Sequence, residues 1–180
     1  MRNDDATLLA EGRFLQLLDR DGWEFAARRN VSGIVTITAE HAGKILLVEQ
    51  YRPPFRCHVI ELPAGLAGDE HAWADEALEA AARRELLEET GFEAGRWEEL
   101  FAGPLSSGMT TEIVTFFRAT NLTRVSSGGG DGSENITLHE VPLGEASDWL
   151  ARVVESGRLV DPKVYLGLYL LGGAVDDPIL

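Results

Sequence analysis

Residues 75–92 read Asp75-Glu76-Ala77-Leu78-Glu79-Ala80-Ala81-Ala82-Arg83-Arg84-Glu85-Leu86-Leu87-Glu88-Glu89-Thr90-Gly91-Phe92. Ala, Leu, Glu and Arg are strong helix formers, so this stretch predicts a helix over 75–90. Asp75 suits its N-cap, and Gly91 suits the left-handed position just past its end. At 3.6 residues per turn, Leu78, Ala82, Glu85 and Glu89 share one stripe, with Leu86 and Leu87 toward its core side. Glu85, Glu88 and Glu89 stand at i, i+3 and i+4, where like charges repel by roughly 0.2–0.5 kcal/mol per pair. The negative end of the helix dipole costs each carboxylate a further 0.3–1 kcal/mol or about that. A solvated acidic face is the bland account. The double penalty favours a seat for a hard cation such as Mg²⁺, which takes oxygen ligands and keeps several waters.

The neighbours support that reading. Arg84 can hold Glu76 or Glu88 through a bidentate bond, though an ordinary surface ion pair is the alternative. Upstream, Pro63-Ala64-Gly65 makes a tight turn in which Gly65 permits a close backbone approach.

Strands lead up to this turn. Residues 13–18 and 23–27 read as a hairpin around a turn at Asp19 to Gly22. Residues 31–38, 44–50 and 58–62 are β-branched or apolar runs, and 44–50 is apolar enough to be buried on both faces. Beyond the helix, strands are expected near 97–102, 114–119 and 136–141, and helices over 145–155 and 162–171. A Gly-rich loop, Ser126 to Ser133, interrupts them. The order of strands, helix, strands and helices predicts an α+β domain.

The 180 residues suit one domain with a sizeable core. Acidic residues number 30 against 16 basic ones, a net charge of −14. Nucleic acid polymers are unsuited partners for such a chain, because binding them needs a basic face. The excess is local: residues 1–60 carry 8 acidic and 8 basic side chains, whereas residues 69–99 carry 11 and 3. No apolar run approaches a membrane span, no secretory signal is visible, and Cys57 is the one cysteine. A cytoplasmic protein without membrane partners is the expectation.

Arg84-Glu85-Leu86-Leu87-Glu88-Glu89-Thr90-Gly91-Phe92 resembles the end of the Nudix box, R-E-U-x-E-E-x-G-U with U bulky and apolar, and Glu76 has the matching spacing before Arg84. Between Gly65 and Glu76 this chain has about five residues more than the family pattern, placed within Leu66–Asp75. Val48-Glu49-Gln50-Tyr51-Arg52-Pro53-Pro54 and Glu61-Leu62-Pro63-Ala64-Gly65 resemble the ADP-ribose pyrophosphatase branch. So does Gly108-Met109-Thr110-Thr111-Glu112, with Ser107 where the branch usually has Pro.

The resemblance implies an α+β Nudix fold: a mixed β-sheet core between helices, with an N-terminal antiparallel β extension. Residues 1–40 would form that extension, exchanged across a homodimer, and residues 41–180 the Nudix domain. The implied reaction is Mg²⁺-dependent cleavage of a nucleoside diphosphate sugar, ADP-ribose above all, with Mn²⁺ as the alternative ion. GDP-mannose, a nucleoside triphosphate or a non-catalytic nucleotide-sensing role are the rival readings. Glu85, Glu88 and Glu89 would hold the metal with the Ala64 carbonyl, and Arg84 and Glu88 would serve catalysis. Glu134 is the candidate general base, with Asp131 and Glu112 competing, and the Gly-rich segment would be a lid hinge. Arg52, Gly65 and Glu112 would bind substrate, and Glu76 would support the site. Trp23, Tyr51 and Phe55 are open candidates for base stacking; the histidines show no ligand spacing.

Overall fold

Gly33–His41, strand β4, organises the molecule because it is useful on both faces. Val35, Ile37 and Ala39 point to one side and Thr36 and Thr38 to the other, all of them buried. The computed structural model describes residues 5–68, 77–130 and 135–172. Glu76, Asp131 and Glu134, the Asp75 N-cap and His71 all lie outside them.

Before β4, the strands β1 (Thr7–Glu11), β2 (Leu15–Arg20) and β3 (Trp23–Arg28) form a separate three-stranded antiparallel sheet. The expected hairpin is β2–β3, with Asp21 and Gly22 at positive φ in its turn. The N-terminal extension is therefore antiparallel as anticipated. Its sheet ends at Arg28, while β4, from Gly33, belongs to the main sheet.

The main sheet contains β5 (Lys44–Arg52), β6 (Cys57–Glu61), β7 (Ala64–Ala67), β8 (Phe92–Pro104), β9 (Ile113–Arg124), β10 (Thr137–Pro142) and β11 (Leu159–Val160) beside β4. It is mixed: β4 runs parallel to β9 and antiparallel to β5 and β7. Helix α1 (Leu78–Thr90) covers one face over Val35, Ile37, Leu46 and Phe117. Helices α2 (Ala146–Glu155) and α3 (Pro162–Leu170) cover the other over Ile45, Leu47, Ile60 and Leu62. This is the α+β architecture expected, a mixed sheet between helices.

A split in the sheet makes the cleft. β4 pairs with β5 only at Glu40 and His41, next to the turn that joins them. Further along, β6 takes over that edge of β5, from Val48 to Arg52, while β7 takes the edge of β4, from Gly33 to Thr36. The two halves diverge, and Leu62-Pro63 carries the chain across the gap.

Candidate active site

Helix α1 comes to the cleft because its inner face is small. Ala81 and Ala82 are fully buried, so the helix backbone lies close to the sheet, and Leu86 anchors it. Its start differs from the expectation: the N-cap is Ala77, which provides no side-chain cap. Its end does not differ. Gly91 sits at φ 76° in the left-handed region and donates its N–H to the Leu87 carbonyl at 2.8 Å.

The last turn holds no basic residue, so the carbonyls there need donors from elsewhere. The Gly-rich segment supplies them: Gly129 donates to the Glu89 carbonyl and Gly130 to the Glu88 carbonyl, both at 3.0 Å. Gly128, at φ 67°, lies so close that a Cβ on it would stand 2.7 Å from the Glu89 carbonyl oxygen. The described glycines are thus docked on the acidic helix.

The three box glutamates diverge. Glu89 is buried and its Oε2 accepts the Ala64 N–H at 3.1 Å. Glu85 lies against Gly65: a Cβ there would overlap its carboxylate and fall 2.6 Å from its Cγ. Glu88 is more exposed. Arg84 stands between Glu85 and Glu88, donating to them at 2.9 and 3.1 Å, and also donates to the Leu66 carbonyl at 3.0 Å. Arg84 therefore relieves the like-charge repulsion and ties α1 to β7.

A cleft of about 340 Å³ opens between the sheet halves, and its walls carry Glu85, Glu89, Ala64, Gly65, Arg52 and Glu112. Glu88 and Arg84 are not among the lining residues. Ala64 presents its N–H to Glu89, a contact additional to the carbonyl role expected of it. Arg52 makes a side-on bidentate pair with Glu61, Nε–Oε1 at 2.6 Å and Nη2–Oε2 at 2.7 Å. Glu112 receives Arg28 Nε at 2.6 Å, which brings the end of β3 into the cleft wall. Strand β3 is held there by Ala26 N to the Met109 carbonyl, Thr111 N to the Ala26 carbonyl, and Trp23 Nε1 to the Gly108 carbonyl.

Arg28, Gln50, Glu61, Lys163 and Thr36 also line the cleft and were not singled out from sequence. Gln50 and Glu61 stand within the two branch-like motifs, and Glu61 is also a charge inside the apolar run Val59-Ile60-Glu61-Leu62. The Thr36 hydroxyl is buried and has no hydrogen-bond partner among the described residues. Tyr51 and Phe55 are exposed near the β5–β6 turn and do not line this cleft; Trp23 lines a neighbouring, more apolar one of about 480 Å³ with Phe25 and Pro104.

Carboxylate oxygens from Glu85 and Glu89 are the donor type that Mg²⁺ takes. The void that Gly65 leaves is where the Glu85 carboxylate lies. These residues fit a divalent cation chemically. Among the described residues no three acidic, histidine or cysteine side chains converge in a ready metal cage. Arg84 holds Glu85 and Glu88 as ion-pair partners instead.

The NUDIX domain profile matches residues 27–159. A methanol dehydrogenase activator of Bacillus methanolicus is 31% identical over 144 residues, 79% of this chain and 73% of that protein. An ADP-ribose pyrophosphatase of Bacillus subtilis is 30% identical over 144 residues, with the same two shares. A GDP-mannose pyrophosphatase of Klebsiella pneumoniae is 32% identical over 151 residues, 79% of this chain and 71% of that protein. In fold, a crystal structure of an ADP compounds hydrolase aligns with a TM-score of 0.68 at 20% identity, over 93% of this chain and 90% of that one. The chain belongs to the NUDIX family, as a pyrophosphohydrolase similar to the ADP-ribose and GDP-mannose pyrophosphatases.

Proposed function

We propose that this protein hydrolyses the diphosphate bond of a nucleoside diphosphate sugar in an Mg²⁺-dependent reaction, converting ADP-ribose to AMP and ribose 5-phosphate. One observation carries the reading: Glu85 and Glu89 share a cleft with Arg52, so acidic groups for a cation and a guanidinium for phosphate face one space. Phosphoryl transfer depends mainly on such positioning and charge neutralisation.

Glu85, Glu88 and Glu89 hold the metal in this reading, with the Ala64 carbonyl as a further ligand. When bound, the ion neutralises phosphate charge and lowers the pKa of the attacking water. Arg84, whose Nη1 bridges Glu85 and Glu88, orients the two carboxylates that would hold the ion. Arg52 clamps the diphosphate, and Glu112, steadied by Arg28, binds substrate in the same cleft. Glu134 takes the proton from water; it follows a loop whose described part is fixed to the last turn of α1. Water oxygen bonds to one phosphorus as the bridging P–O bond breaks, so each product leaves with one phosphate.

GDP-mannose is the second reading, favoured by the GDP-mannose pyrophosphatase among the similar proteins. A homodimer is part of the proposal, supported by the exposed Leu8, Leu15, Leu17 and Trp23 of the small sheet. A cytoplasmic setting rests on the lone Cys57; no described helix is long and apolar enough to cross a membrane.

The test is a product assay with Mg²⁺ over ADP-ribose, GDP-mannose, other nucleotide sugars, dinucleotides and triphosphates. AMP and ribose 5-phosphate from ADP-ribose, at the highest kcat/KM of the set, support the proposal. Preference for triphosphates would overturn it, and binding without any turnover would point to a sensing role.

A further inference from the structure

We infer that Glu61 is a positioning residue for Arg52, turning its guanidinium from solvent back into the cleft where a diphosphate is held. The inference rests on the proposed reading of Arg52 as the diphosphate clamp. Arg52 ends β5, beside the turn Pro53–Arg56, where the backbone N–H groups of Phe55 and Arg56 bond back to its carbonyl. Tyr51 and Phe55 on either side are exposed. An arginine at such a tip has water as its natural direction.

The strand register shows how far it is diverted. Across the hairpin Arg52 faces Cys57, whereas Glu61 faces Val48, four residues further back along β5. That offset is about 13 Å of strand at roughly 3.3 Å per residue. The Arg52 side chain therefore lies back along its own strand, past Gln50 on the same face, to meet Glu61.

Burial shows which partner holds which. The Glu61 side chain is 8% exposed and the Arg52 side chain 39%. The carboxylate is rooted in the wall and the guanidinium is the member presented to the cleft. A side-on pair through Nε and Nη2 fixes the plane as well as the position of the guanidinium. Stability is a weak reason for such a pair, because apolar replacements of buried ion pairs are often as stable. Its clear effect here is directional, since Arg52 and Glu61 line the same cleft as Glu85 and Glu89.

The test is a double-mutant cycle on the full chain with Arg52→Ala, Glu61→Gln and the double variant. Kd for ADP is read by calorimetry, kcat and KM for ADP-ribose by product assay, and folding by circular dichroism. Arg52→Ala should weaken ADP binding by about 10- to 100-fold, the span of a charge-assisted hydrogen bond. Glu61→Gln should give a smaller loss, in Kd and KM more than in kcat, and the double variant should be no worse than Arg52→Ala alone. Glu61→Asp keeps the buried charge paired while shortening its reach, so it should weaken binding in the same direction even if the glutamine variant does not fold. If Arg52→Ala leaves Kd and KM unchanged, the clamp reading fails and the inference with it. If Arg52→Ala weakens binding but the Glu61 losses are absent, or persist undiminished without Arg52, the positioning role alone is overturned.

Discussion

The Glu85 carboxylate occupies the space that a side chain on Gly65 would fill. Two elements distant in sequence, the β7 strand and the last turns of α1, are packed so closely that one hydrogen at position 65 is all the room there is. A methyl group there must displace Glu85 or separate β7 from the helix. Gly65→Ala is expected to cost about 100-fold in kcat, the scale of a 1 Å misplacement at a reacting centre. The global fold should survive, because the core over α1 is elsewhere. Steady-state kinetics beside a melting curve checks this; wild-type turnover in a folded Gly65→Ala protein would contradict the role given to Glu85.

Glu88 and Glu89 should respond differently to amide substitution. Glu89 is buried, and Gln can still accept the Ala64 N–H through its amide oxygen. Glu89→Gln should therefore keep its fold and lose most activity together with Mg²⁺ affinity. Glu88→Gln should also lose activity, while its stability should change by less than about 1 kcal/mol, the worth of a half-exposed ion pair with Arg84. Urea unfolding, product assay and metal titration in parallel separate these effects. Wild-type turnover in both variants would remove the metal-site proposal.

The docked glycine loop makes a stability prediction free of catalysis. At φ 67°, with the Glu89 carbonyl oxygen 2.7 Å from any Cβ, residue 128 has neither the conformation nor the space for alanine. Gly128→Ala should destabilise the protein by about 1–3 kcal/mol through backbone strain and loss of the donors that close α1. Ser127→Ala, one residue away and exposed, is the control and should be near neutral. Equal midpoints for the two variants in urea would show that the loop does not hold the helix end.

Glu49 gives a pH dependence. Burial pushes its carboxyl up, but the His139 hydrogen bond at 2.8 Å and the neighbouring Arg158 more than offset this, leaving it below the ordinary value. A carboxyl lowered on folding contributes stability that is present above its unfolded pKa, about 4.3, and is lost as pH falls through the folded value. Wild-type stability should therefore drop across that acidic window, and Glu49→Gln should show a smaller drop. Urea midpoints between pH 6 and pH 3 test the difference; parallel profiles would rule it out.

Local sequence was informative where chemistry is packed into consecutive residues. The acidic helix and its Gly91 end could be read because helix propensity, the i, i+3, i+4 spacing and the left-handed glycine all act within a few residues. β7 and β11 leave no local signal because they are four and two residues long, and their pairing partners lie far away in the chain. Composition favours helix from Asp75 onward, whereas the described helix begins at Leu78, because helix propensity along the chain does not mark where the first turn closes.

By itself the sequence determined the class of fold, the acidic helix and the family, since each is written in spacing along one segment. Only the tertiary structure decided that β4 and β5 part after a single turn, opening a cleft between them. It also decided that Arg28 of the small sheet reaches Glu112, that Arg52 is held by Glu61, and that Arg84 bridges Glu85 and Glu88. Charged side chains have many local partners of equal merit in a linear chain. Burial removes water from the competition, and the backbone then allows one geometry.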